Sequence, residues 1–156
     1  MDDQFKPSEA LEREHREIDE GLTSFGAGLA AGEWRREAFE PAARGLRRHI
    51  YLEEEFLFPE LRAAGLLPPV IVMVREHGEI WHALDAIEAA AESDDLDAAR
   101  RVCATMLATL GEHNVKEEQI LYPASDELIG PEGAEHLRGQ IETSTLPVGW
   151  QCEAVR

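Results

Sequence analysis

Apolar positions recur at helical spacing along most of this chain, and four of the stripes they form carry a histidine. Leu11, His15, Ile18, Leu22 and Phe25 follow one another at i, i+4, i+7, i+11 and i+14, the pattern of one face of an amphipathic helix. Ser8 is placed to cap that helix, with Glu9, Glu12 and Glu14 near its positive end. Gly26, Gly28 and Gly32 weaken its close, so it is expected to stop near Ala31. A second helix starts between Glu33 and Ala42, Pro41 suiting a first-turn position, and its inner face reads Leu46, His49, Leu52, Glu53 and Phe56. Pro59 is expected to kink it and Gly65 to end it. Pro68-Pro69 opens a third helix facing inward with Val70, Met73, Val74, His77, Ile80, Trp81, Leu84 and Ile87. Ser93-Asp94-Asp95 caps a fourth, which presents Val102, Met106, Leu110, His113, Glu117 and Ile120 and kinks again at Pro123. Gly130-Pro131 breaks the pattern, residues 132–143 suit a short fifth helix, and the tail from Leu146 has no periodicity.

The chain repeats itself. Arg13-Glu14-His15-Arg16-Glu17-Ile18 returns 62 residues later as Arg75-Glu76-His77-Gly78-Glu79-Ile80. His49-Ile50-Tyr51-Leu52-Glu53-Glu54 returns 64 residues later as His113-Asn114-Val115-Lys116-Glu117-Glu118. Each half is thus a helical hairpin with one histidine on its first helix and His-x-x-x-Glu on its second. Two hairpins with short loops give an all-α, antiparallel up-down-up-down four-helix bundle with a short C-terminal helix and tail. The organisation expected is a single domain over 1–156, with a bundle core at about 8–129 and an extension at 130–156.

Composition narrows the partners. Of 156 residues, 44% are hydrophobic but only 6% aromatic, which suits a helical globular chain large enough for its own core. The net charge of −17 leaves no basic stripe for phosphates, arguing against nucleic acid and against anionic membranes. No charged-then-apolar leader and no long apolar run appear, so a cytoplasmic location is expected. Cys103 and Cys152 are too few for a disulfide framework.

The chemistry lies in the repeated histidines. A His and a Glu four apart sit about 40° apart around a helix, so they project together. His15, His49, His77 and His113 each fall on an inward face, joined by Glu53 and Glu117. Two carboxylates among leucines cost several kcal/mol each unless something cationic compensates, and no Lys or Arg lies on those faces; Lys116 is about 100° off the stripe. A pair of metal cations supplies the missing charge. Oxygen and imidazole donors without sulfur favour iron or manganese, with zinc left open.

On these residues the chain resembles the hemerythrin-like HHE cation-binding proteins over about residues 8–129. The resemblance implies an oxo- or hydroxo-bridged di-iron centre inside the bundle. One iron would draw on the histidines of one hairpin, the second on those of the other, and Glu53 and Glu117 would bridge them. The oxygen carriers of that family have a second histidine four residues along the third helix. Here that position is Trp81, and His82 lies about 140° from His77, too far round to serve the same site. The carriers' fourth-helix carboxylate also falls one residue later than Glu117. The arrangement is closer to the four-His, two-Glu variants of iron-sensing and bacterial members. Some variants add a tyrosine or a further glutamate; Tyr51 and Glu54 lie nearby, but Tyr51 should point away and neither joins the ligand set.

The function implied is binding or sensing of oxygen, nitric oxide or iron, without catalysis. One alternative is an oxidoreductase acting on peroxide or nitric oxide at the same centre. Another is an interaction module that metal merely stabilises. Glu54, Glu55 and Glu118 are expected to be solvated or to accept from histidine N–H groups, His136 to be solvated, Trp81 and Cys103 to be core.

Overall fold

Among the described residues, 5–156 of a computed structural model, all regular structure is helical and no strand forms. Helix α1 spans Pro7–Ala30. Proline is pre-set for the first helical position, where its missing N–H costs nothing, so the helix starts at Pro7 and Ser8 is not its cap. Instead the Ser8 hydroxyl donates to Asp126 Oδ2 at 2.6 Å. Helix α2, Arg36–Leu52, starts early, with Pro41 inside it and exposed; the surrounding turns absorb one missing bond. Helix α4 spans Leu67–Glu92, with proline in its first turn. Helix α5 spans Leu96–Lys116, and the Asp95 carboxylate accepts from the Ala98 N–H at 3.0 Å, the cap the sequence signals. Helix α7 spans Pro131–Thr143.

The expected proline kinks take a specific form. Helix α2 runs into a π-turn, Glu53–Leu57, and continues as α3, Phe58–Ala63. Helix α5 does the same through Glu117–Leu121 into α6, Tyr122–Leu128. In each π-turn an N–H reaches the carbonyl five residues back: Phe58 to Glu53, and Tyr122 to Glu117. Widening the helix just ahead of Pro59 and Pro123 eases the clash between a proline ring and the carbonyl four residues earlier. It also moves one extra residue into the turn, so the inward face changes register. Ile120, expected inward, is exposed, and Phe56 only half-buried, while Leu57 and Leu121 take the core positions. Val74 and Val102 are likewise only partly buried.

Helix α1 packs along α2 and α4 along α5; α1 also meets α5, and α2 meets α4. The first pair approaches closely at Gly21, where an added Cβ would lie 2.8 Å from Ala42 Cβ. Two apolar clusters result. One holds Ile18, Leu22, Phe25, Leu46, Ile80, Leu84 and Leu110; the other holds Leu11, Leu57, Phe58, Leu61, Met73 and Leu121. Along each long helix the histidine falls between residues of the two clusters. A polar layer is therefore sealed on both sides by hydrocarbon.

The patternless tail also has a place. Cys152 is fully buried, Trp150 stands edge-on to Tyr51 and Trp81, and the Glu153 N–H donates to Glu54 Oε1 at 2.8 Å. The tail covers the bundle at Gly78, where a Cβ would meet Ala154 Cβ at 2.7 Å.

Candidate metal centre

The six side chains singled out in the sequence meet in the buried layer. His15, His49, Glu53 and Glu117 bring ligating atoms within 4.8 Å of one another, and so do Glu53, His77, His113 and Glu117. The histidines divide by hairpin, and the two carboxylates belong to both groups. Exposure is 3% for His15, 2% for His49 and His113, and 0% for His77, Glu53 and Glu117. Within the first group His15 Nε2 lies 3.2 Å from Glu117 Oε1, and His49 Nε2 lies 3.5 Å from Glu53 Oε1. Within the second, His77 Nε2 lies 3.2 Å from Glu53 Oε1, and His113 Nε2 lies 3.1 Å from Glu117 Oε1.

Each imidazole turns its other nitrogen to a carboxylate. His49 Nδ1 meets Glu14 at 2.8 Å, His113 Nδ1 meets Glu76 at 3.1 Å, His77 Nδ1 meets Glu54 at 2.7 Å and His15 Nδ1 meets Glu118 at 3.3 Å. A carboxylate only accepts, so Nδ1 carries the hydrogen and Nε2 turns its lone pair inward when the ring is neutral. This is the orientation that outer carboxylates impose on metal-binding histidines. The arrangement follows the sequence repeat. The glutamate preceding each first-helix histidine, Glu14 or Glu76, holds the other histidine of its own hairpin. The glutamate following each inward glutamate, Glu54 or Glu118, holds a histidine of the opposite hairpin.

Charge is out of balance here. Six glutamates face the layer, and two cations touch them: Arg48 on Glu14 at 2.9 Å and Lys116 on Glu76 at 2.5 Å. Three of the imidazoles, His49, His77 and His113, respond by holding protons. Burial alone would lower His113, but Glu117 and Glu76 outweigh it and hold the ring at about 10. His49 is raised well above the usual histidine range despite its burial, by Glu53 and Glu14, and His77 is raised by Glu53 and Glu54. Burial would raise Glu53, yet His49, Glu117 and His77 hold it far below the usual carboxylate range. Glu76 is drawn down to about 2, by the bond from His113 against its burial and then by Lys116.

The layer still leaves polar atoms without partners. Glu53 Oε1, His77 Nε2 and Glu117 Oε2 are buried and make no hydrogen bond, although the first two face each other at 3.2 Å. Orphaned buried polar groups of this kind are costly, and a cation between them would satisfy all three. The donor set, imidazole nitrogen with carboxylate oxygen and no sulfur, fits such an ion.

One residue of the layer is absent from the sequence reading. Tyr122 is fully buried, and its oxygen lies among His15, His49, Glu53 and Glu117. Burial and the neighbouring Glu117 and Glu53 push its hydroxyl well above the usual phenol range. Phe58, the matching residue of the first hairpin, stacks on His77 instead, 5.5 Å between ring centres. Tyr51 faces away, against Phe56 and Trp150. His82 and His136 are exposed. Trp81 packs between Arg47 and Trp150, and Cys103 is core, its thiol pushed up by burial. Glu55 accepts from Trp150 Nε1 at 3.0 Å rather than from a histidine.

Among the described residues no helix is long and apolar enough to cross a membrane. No curated protein and no solved structure matches the chain. A family model described as the hemerythrin HHE cation binding domain matches residues 6–125, which carry both hairpins and all six inward donors. The chain belongs to the hemerythrin HHE cation-binding family.

Proposed function

We propose that this protein holds two iron ions in its buried layer and uses them to bind or sense oxygen, nitric oxide or iron itself, without catalysis. The supporting observation is the pair of four-donor groups sharing Glu53 and Glu117, with each histidine's Nδ1 engaged by a carboxylate. His15 and His49 would hold one ion and His77 and His113 the other, with Glu53 and Glu117 available to both. Bound iron would supply redox change and open positions for a small ligand. The chain's own residues fix the rings, exclude water through the two flanking apolar clusters, and hold protons on His49, His77 and His113 where cations would otherwise balance the glutamates. With every imidazole committed on both sides, no inward group is left for general acid–base work on a substrate.

The same reading takes the helices as an antiparallel up-down-up-down bundle in one domain over 1–156. It is supported by the brief connections at residues 31–35, 64–66 and 93–95 between helices that pack together. A cytoplasmic location and partners limited to small molecules are part of the proposal; the charge of −17 supports leaving out nucleic acid and anionic membranes.

The test is metal content and optical spectrum of protein purified without added metal, followed by exposure of the reduced form to oxygen, nitric oxide or peroxide. Two irons per chain and a reversible, stoichiometric spectral change are expected. Sustained turnover of peroxide or nitric oxide would replace this reading with an oxidoreductase. Zinc alone, or a metal spectrum indifferent to all three reagents, would reduce the metal to a structural element.

A further inference from the structure

We infer that the Tyr122 hydroxyl is an oxygen ligand at the His15/His49 metal position, which makes the two positions inequivalent; the inference rests on the two-metal reading above. The Tyr122 oxygen lies 2.9 Å from Glu53 Oε2, 3.0 Å from His15 Nε2, 3.2 Å from His49 Nε2 and 3.5 Å from Glu117 Oε1. Metal–ligand bonds of about 2.1 Å set neighbouring ligand atoms roughly 3 Å apart in an octahedral arrangement. The phenol oxygen is thus spaced from the four candidate donors as they are from one another, at 3.2 and 3.5 Å along the His15–Glu117 and His49–Glu53 edges. It stands as a fifth corner of the same polyhedron.

Hydrogen bonding leaves one of these contacts, the 3.5 Å approach to Glu117, without a hydrogen. A phenol donates one hydrogen, and two of its four neighbours are carboxylate oxygens, of which it can serve only one. A cation among the five atoms removes the conflict, and ligation releases the phenol proton to solvent as it does for other protonated ligands. The backbone is built to place the ring there. Tyr122 follows Glu117 by five residues, and the π-turn Glu117–Leu121 stacks it directly above that glutamate.

The other hairpin has the same π-turn but delivers Phe58, which has no donor and lies flat on His77. The His77/His113 position is left with four protein donors against five. The His77/His113 position, beside the Phe58 ring, would therefore be the more open of the two to a small exogenous ligand.

The chain has two tyrosines, Tyr51 and Tyr122, so two variants assign any phenolate signal. Iron-loaded wild type, Tyr51→Phe and Tyr122→Phe are compared by iron content, by the visible phenolate-to-ferric charge-transfer band and by resonance-enhanced Raman modes of the phenolate ring. The expected result is two irons and a phenolate signature in wild type, retained in Tyr51→Phe and lost in Tyr122→Phe. If Tyr122→Phe does not fold, wild type and Tyr51→Phe suffice for the assignment. Two irons without a phenolate signature, or a signature lost in Tyr51→Phe, overturns the tyrosine assignment while leaving the two-metal reading intact. Wild type without paired iron overturns both.

Discussion

Glu54 is the point at which the centre is most exposed to a single conservative change. It is 7% exposed and accepts two hydrogen bonds, from His77 Nδ1 at 2.7 Å and from the Glu153 N–H at 2.8 Å. Glu54→Gln keeps the volume but offers one carbonyl oxygen and one NH2 group to two donors. With the NH2 toward His77, the ring is driven to carry its hydrogen on Nε2, where it cannot ligate. With the carbonyl toward His77, the orientation survives but the negative charge that raises the ring's basicity is gone, and the tail amide is stranded. Either way the metal position of His77 and His113 weakens, by the 10–100-fold typical of lost outer carboxylates, about 1.4–2.7 kcal/mol. Glu118→Gln is the internal control. Glu118 plays the same part for His15, but at 3.3 Å and with its side chain 37% exposed, so water replaces much of what is lost and the fall should stay below about ten-fold. The assay is competitive titration of ferrous iron against a chromophoric chelator without oxygen, resolving the two binding steps, with amide exchange at Glu153 in parallel. Affinity unchanged by Glu54→Gln, or reduced as much by Glu118→Gln, would refute the argument.

Three further outcomes are expected. Chelator-treated protein should be most stable between about pH 4.5 and 6.5: the Glu76 contribution is present above its unfolded value of 4.5 and fades as pH falls toward about 2, while that of His113 is present below 6.5 and fades as pH rises toward about 10. Thermal midpoints across pH check this, and metal should flatten the alkaline arm by replacing the histidine protons; a maximum above pH 8 would contradict it. Gly78→Ala should lower stability by about 1–3 kcal/mol, because its Cβ would lie 2.7 Å from Ala154 Cβ and displace the packed tail, and exchange at the Glu153 amide should speed up. Leu22→Ala, at a fully buried position in the cluster away from Tyr122, should cost about 2–5 kcal/mol yet leave metal stoichiometry intact, read by calorimetry and metal analysis of the same sample.

How far the sequence foretells this site depends on helix geometry. The six inward donors were legible because His-x-x-x-Glu places two donors on one face and each remaining histidine interrupts an apolar stripe. Their outer carboxylates were only half legible. Glu54 and Glu118 were expected either as solvated or as partners of histidine N–H groups. Glu14 reads only as a charge near a helix's positive end and Glu76 gives no signal, although both recur beside His15 and His77 in the repeat, because adjacent residues diverge by about 100°. They reach their partners because each sits at the margin of its stripe, beside a neighbouring helix. Tyr122 was illegible for a sharper reason. Five residues on a regular α-helix turn through about 140°, pointing it away from Glu117; the π-turn undoes that rotation. The same turn accounts for Ile120 and Phe56, expected inward and found outside or at the edge. The tail could not be placed from its own pattern, since Trp150, Cys152 and Glu153 are held by contacts far away in the chain.

The crosswise carboxylates have a consequence for how such a centre can differ from its own mirror. Glu54 of the first hairpin steadies His77 of the second, and Glu118 of the second steadies His15 of the first. Neither hairpin encloses a complete four-donor group, so the two must dock before either group is assembled. A single such hairpin pairing with an identical copy would satisfy the same pattern through twofold symmetry, but it would carry the same residue at both places after the π-turn: two phenols or two phenyl rings. Joining the halves in one chain releases that constraint. Phe58 and Tyr122 can then differ, so one half of an otherwise matched layer carries a polar oxygen that the other half lacks.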